Sequence, residues 1–100
     1  MTFHIFDKQD LKIYGLDYKG ITFGFYDVVE YIDEYNEMIC WCKQNFGNPI
    51  DVPLYLDGIA LPAEQVMRAL PARQRWYKRY ANELWFRDEQ DYLWFLLRWA

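Results

Sequence analysis

The chain is poor in the residues that build reactive or metal-binding sites. Its 100 residues include one histidine, His4, and two cysteines, Cys40 and Cys42. A structural Cys/His zinc site takes four such ligands, so too few are present. The two cysteines flank Trp41, and on a helix their side chains point about 200° apart. They therefore neither pair nor share a metal, and they read as structural thiols. No Gly-rich phosphate loop is present, and no Ser–His or Cys–His pair stands in a recognisable context. The expectation is a non-enzymatic protein with no metal and no cofactor.

Long apolar runs are missing as well. The longest, YLWFLL from Tyr92 to Leu97, falls far short of the ~18–20 residues a membrane span needs. The first ten residues, MTFHIFDKQD, carry acids at Asp7 and Asp10 and no cleavable apolar segment. The expectation is a soluble cytoplasmic protein without a membrane partner. No internal repeat or low-complexity segment breaks the chain, and its length suits a single domain over residues 1–100.

Aromatic residues are what the chain has in abundance: five Trp, nine Tyr and seven Phe, or 21% of the sequence. A domain this small buries only about 60–70% of the surface its unfolded chain exposes. Some of these rings must lie at the surface, where they call for a partner, a second copy or a ligand.

Charge is unevenly spread. The net charge is -4, but residues 1–60 hold ten acids against four bases and residues 61–100 hold five acids against seven. The halves thus carry -6 and +2, and such a bipolar molecule can steer a charged partner.

Periodicity gives the elements. Residues 3–6 and 11–26 read as extended, and Ile21, Phe23 and Phe25 alternate at period two. The pair Lys19-Gly20 is the expected hairpin turn. An amphipathic helix is expected over 27–46, with Asp27 as N-cap, Glu30 completing a capping box and Gly47 as the stop. Val28, Ile32, Tyr35, Ile39, Cys42 and Phe46 form its buried stripe. Asp57-Gly58 lies between two short apolar runs as a two-residue hairpin turn. Pro62 opens a short helix that Pro71 stops. Strands are expected at about 74–80 and 83–87, joined at Ala81-Asn82. Asp88 caps a last helix over 88–97, with Asp91 as first-turn charge, although the apolar YLWFLLRW could instead finish as a strand. The economical architecture is α+β: a small antiparallel sheet with two main helices on one face. It is ferredoxin-like, built on a split βαβ unit, with a hairpin and short-helix insertion at about 50–72.

Two stretches, MICWCKQNFG and RWYKR…LWFRDEQDYLWFLLRW, together resemble short uncharacterised proteins of tailed bacteriophages. The pattern is a helix ending in Trp-Cys and Phe-Gly (Trp41, Cys42, Phe46, Gly47), then Trp76 and a strand carrying Phe86. An acidic turn follows at Asp88 and Asp91, then Phe95, Leu97, Arg98 and Trp99. The resemblance covers about a third of the chain. It implies a phage accessory protein, acting in the cytoplasm of an infected bacterium, and it carries no catalytic residues. Many small phage proteins bind host or defence proteins, which is the role the resemblance implies.

Three sets of residues are candidate sites. RQRWYKRY, residues 73–80, interleaves Arg73, Arg75, Lys78 and Arg79 with Trp76 and two tyrosines. On a strand it could form a phosphate-binding strip with stacking rings, or simply a charged edge that resists pairing. The acids Asp27, Glu30, Asp33, Glu34 and Glu37 form a partner face that could imitate a row of phosphates and occupy a DNA-binding protein; the plain alternative is a solvated helix face. Trp94 and Trp99 are the candidates for self-association as a homodimer; their plain alternative is core packing. The reading that follows is a protein-binding module, an inhibitor of a host or defence factor in its sharpest form. The alternative is a small nucleic-acid-binding protein using the strip at 73–80.

Overall fold

The computed structural model describes residues 5–13, 15–48, 55–56, 59–60, 62–70, 73–79 and 82–99. β1 (Ile5–Ile13) and β2 (Leu16–Phe23) form the first hairpin, and β5 (Trp76–Arg79) and β6 (Glu83–Phe86) the second. β6 lies against β2, so the sheet order is β1-β2-β6-β5 and each neighbouring pair is antiparallel. It follows that β2 and β5 point the same way with β6 between them. The chain that joins them carries α1 (Phe25–Glu30), α2 (Ile32–Phe46), the small β3–β4 hairpin (Tyr55–Leu56, Ile59–Ala60) and α3 (Ala63–Ala69). This is the split βαβ unit expected from the sequence. The strand that completes the ferredoxin-like sheet beside β2 is β1, which precedes the unit instead of following it.

The first hairpin turns at Gly15, where φ is 78°, and not at Lys19-Gly20. Gly20 sits in mid-strand opposite Trp85. The Trp85 indole fills the space a side chain would take, so a Cβ there would stand 2.7 Å from ring carbon Cε3. Trp85 is buried and its Nε1 donates to Glu83, so the ring has little room to yield. Gly20→Ala is expected to cost about 2–3 kcal/mol by overpacking. Urea denaturation would read this as a lower midpoint at unchanged slope.

The long helix expected over 27–46 is two helices. Its N-cap is Gly24, with no side-chain cap hydrogen bond, so the Asp27/Glu30 capping box does not form. The chain is already helical at Phe25, which leaves Asp27 inside the first turn. At Tyr31 the backbone breaks to φ -113°, ψ 47°. The break turns Ile32 out of the stripe to the surface, and Met38 joins Tyr35, Ile39, Cys42 and Phe46 inside. The helix ends at Gly47, as expected.

The second half differs in smaller ways. β5 starts two residues later than expected and β6 ends one residue earlier, and Tyr80 and Ala81 of their connection lie outside the described residues. So do Asp57-Gly58, though Tyr55↔Ala60 and Leu56↔Ile59 pair on either side of them. Pro62 is the N-cap of α3 and not its first residue, and the helix ends at Ala69, before Pro71, which also lies outside the described residues. α4 (Glu89–Trp99) stays helical throughout, so the final apolar run is not a strand.

α2 and α4 cover one face of the sheet. There Ile21, Phe23, Leu84, Phe86 and Trp76 meet Tyr35, Met38, Cys42, Phe46 and Phe95. On the opposite face, α3 places Val66 and Met67 over Tyr18, Tyr77 and Trp85. The inner strands therefore have apolar residues on both sides, and all four residues of β6 are buried.

Candidate docking surface

The basic strip does not assemble as one face. Its strand is β5 alone, at the sheet edge, and both central rings point into cores. Trp76 is 1% exposed, on the α2/α4 side, and its indole Nε1 donates to the Gly47 carbonyl at 2.6 Å. Tyr77 is buried on the α3 side. Gln74 is buried too, donating to the Trp76 carbonyl at 2.7 Å. Neither ring is placed to stack on a base.

The strip's cations are distributed in the same way. Arg75 closes a bidentate pair with Asp91, Nε to Oδ2 at 3.0 Å and Nη2 to Oδ1 at 2.8 Å. Its Nη1 donates to the Asn45 carbonyl at 3.1 Å, and the guanidinium stands 5.2 Å from the Phe46 ring centre. The hydrogen bonds to Asp91 are the main cause of its raised pKa, and the nearby Asp91 and Asp88 charges add to it. One side chain thus ties the end of α2 to the first turn of α4 across the approach to β5, and Asp91 is more than a first-turn charge. Lys78 is half-buried, its Nζ 5.7 Å from the Tyr35 ring centre. Arg73 is exposed. The Arg79 side chain lies outside the described residues. Arg68, which would extend the strip, pairs with Glu64 on α3 at 2.7 Å.

Trp94 and Trp99 belong to an aromatic ladder between α2 and α4. Trp41 stands at its centre, 5.3 Å from Trp94 and 6.3 Å from Trp99, with edge-to-face rings. Trp99 is half-buried and Trp94 about half exposed, with Leu93 and Leu97 exposed beside them. The tryptophans pack the helix pair, as the core-packing reading expects, and the outer side of α4 stays apolar at Leu93, Trp94 and Leu97.

The acidic candidates lie on a surface with a second component that the sequence pattern hid. Glu30, Asp33, Glu34 and Glu37 are exposed and Asp27 is half-buried. Among them stand Phe25 at 54% exposure, Tyr26 at 84%, Val29 at 57% and Ile32 at 46%. From Phe25 to Glu37 the sequence has five acids and no Lys or Arg. Phe25 and Val29 are one turn apart on the outer side of α1. Val28 alone of that helix is buried.

Each end of this strip opens into a concavity. Beside Phe25 and Tyr26 is a cleft of about 470 Å³, bounded by Thr22, Phe23 and Asn82. Along α2 a groove of about 380 Å³ runs past Asp33, Asn36 and Glu37 to Trp41, Arg98 and Trp99. On that wall the Arg98 guanidinium lies 4.2 Å from the Trp99 ring centre.

Cys42 and Tyr35 sit behind this surface in the core. Burial pushes the Cys42 thiol from 9.0 up to about 12, and raises Tyr35 above its usual 10.0. Both stay neutral in the folded chain at pH values where the unfolded chain ionises. Above pH 9.0 the unfolded state therefore binds fewer protons, and stability present below that pH is lost as pH rises toward about 12. Urea midpoints are expected to be level up to that pH and to fall beyond it. C42V should delay the fall toward pH 10.0, the ordinary tyrosine value.

No group of three or more His, Cys, Asp or Glu side chains among the described residues is placed to hold a metal ion. None of the described helices is long and apolar enough to cross a membrane. The chain matches no family model, no curated protein and no solved structure.

Proposed function

We propose that this chain is a non-enzymatic protein-binding module that docks its partner on the strip from Phe25 to Glu37. One observation carries the reading: five large apolar side chains, Phe25, Tyr26, Val29, Tyr31 and Ile32, stand exposed within eight residues, inside a segment with five acids and no base. Apolar area left in water forgoes about 25 cal/mol per Å². An apolar cluster ringed by charge is the composition of an interaction site. The charge also selects the partner. Two copies meeting through this strip would oppose acids with acids, whereas a basic protein surface would be attracted and oriented.

Binding by occupation is the activity proposed, with no chemistry of its own. The resemblance to phage accessory proteins favours a host or defence protein as the target and inhibition as the consequence. The nucleic-acid alternative depends on the strip at 73–80, and the burial of Trp76 and Tyr77 and the Arg75–Asp91 pair weigh against it.

Capture of partners from bacterial lysate by the tagged chain, with and without nuclease, tests the reading. A protein recovered equally under both conditions supports it. Recovery that collapses on nuclease treatment supports nucleic acid instead.

A further inference from the structure

We infer that the partner element recognised by this strip is a basic amphipathic helix; the inference rests on the protein-binding reading above. The first argument is the state of the backbone. The strip is carried by α1 and α2, whose main-chain groups are largely satisfied within the helices. An extended partner segment would find no open sheet edge there to pair with, although edge pairing is what gives extended segments their affinity. A helix brings its own backbone already satisfied and needs only side-chain contacts.

Spacing is the second argument. Phe25 and Val29 lie one turn apart on α1, and Ile32 follows beyond the break at Tyr31. A partner helix, whose own anchors recur every one to two turns, can set successive side chains against them. α1 alone spans about 9 Å at ~1.5 Å per residue, and α2 continues the strip beyond the break for about a further turn and a half, enough to meet a partner helix of a few turns. At its first end, the cleft beside Phe25 and Tyr26 has room for a large apolar side chain.

Charge is the third. Glu30, Asp33 and Glu37 are exposed along the strip and call for Lys or Arg on the flank of the partner helix. At the second end, the groove wall already holds a guanidinium, that of Arg98 over Trp99, beside the carboxylates of Asp33 and Glu37. With Arg98 already over the Trp99 ring, a partner cation is drawn by the carboxylates, so a Lys or Arg at the end of the partner helix pairs with Asp33 and Glu37.

The test uses the intact chain and two synthetic Leu/Lys peptides of about 14 residues, equal in composition. One places Leu at helical spacing and the other alternates Leu and Lys at strand spacing. Isothermal titration is expected to show micromolar binding of the helical pattern and at least about tenfold weaker binding of the alternating one. Val29→Asp should weaken the helical peptide by about thirtyfold or more. The pair Asp33→Asn and Glu37→Gln should weaken it about fivefold and flatten its salt dependence. Circular dichroism would confirm that each variant is folded. Equal binding of the two peptides, or binding that Val29→Asp leaves unchanged, would overturn the inference. If the peptides fail while capture of a partner still depends on Val29, the docking surface stands and the helical partner falls. If capture is also indifferent to Val29, both fall.

Discussion

Trp76→Ala is expected to remove most of the stability of the molecule. The indole is among the largest fully buried side chains and lies in the core between the sheet and the α2/α4 layer. Truncating a buried Trp costs about 3–5 kcal/mol through lost transfer energy and the cavity left behind. The lost hydrogen bond to the carbonyl of Gly47, the residue that ends α2, adds about 1 kcal/mol, because that acceptor loses its partner. Domains of this size have about 5–15 kcal/mol in total. A loss of about 4–6 kcal/mol lowers the melting temperature by roughly 20 °C or more at ~4–8 °C per kcal/mol. Trp76→Phe keeps the ring and loses the donor, so it should fall between, at about 1–2 kcal/mol. Thermal melts followed by circular dichroism check both. A melt unmoved by Trp76→Ala would mean that the ring is at the surface, as the stacking-strip reading of RQRWYKRY requires.

The double variant Tyr26→Asp/Val29→Asp is expected to show the opposite profile. Both side chains are mostly exposed, so folding loses little by their replacement, within about 1 kcal/mol. Docking loses both apolar anchors and gains two charges that must be desolvated under the partner. Central anchors of this kind carry about 2–4 kcal/mol each, so affinity should drop by a hundredfold or more. Stability and binding thus separate cleanly: position 76 moves the first, and positions 26 and 29 move the second.

Local chemistry made much of the fold legible. The stripe at Tyr35, Ile39, Cys42 and Phe46 and the stop at Gly47 are properties of one helix, α2, read along its own sequence. The hairpin around Asp57-Gly58 and the split βαβ order followed from turn residues and element order. What was hidden depends on distant contacts. Gly15 and Gly20 look equally suited to a turn, and only Trp85, 65 residues beyond Gly20, shows that the second is a packing site. Arg75 reads as a surface cation until Asp91 is placed beside it. Trp76 and Tyr77 read as a half-solvated pair because nothing local says that α3 closes the second face of the sheet. For the docking strip, the acids were visible and their apolar neighbours were not. Phe25 passes for a strand residue at period two, and Ile32 for a core residue at helical spacing. The break at Tyr31 is what leaves Ile32 outside.

The most direct test of the docking surface is quantitative mass spectrometry of proteins captured from nuclease-treated lysate by the native chain and by Tyr26→Asp/Val29→Asp, with both baits shown to melt alike. The account predicts a partner enriched by the native chain and lost from the variant. The same partner recovered equally by both baits would contradict it.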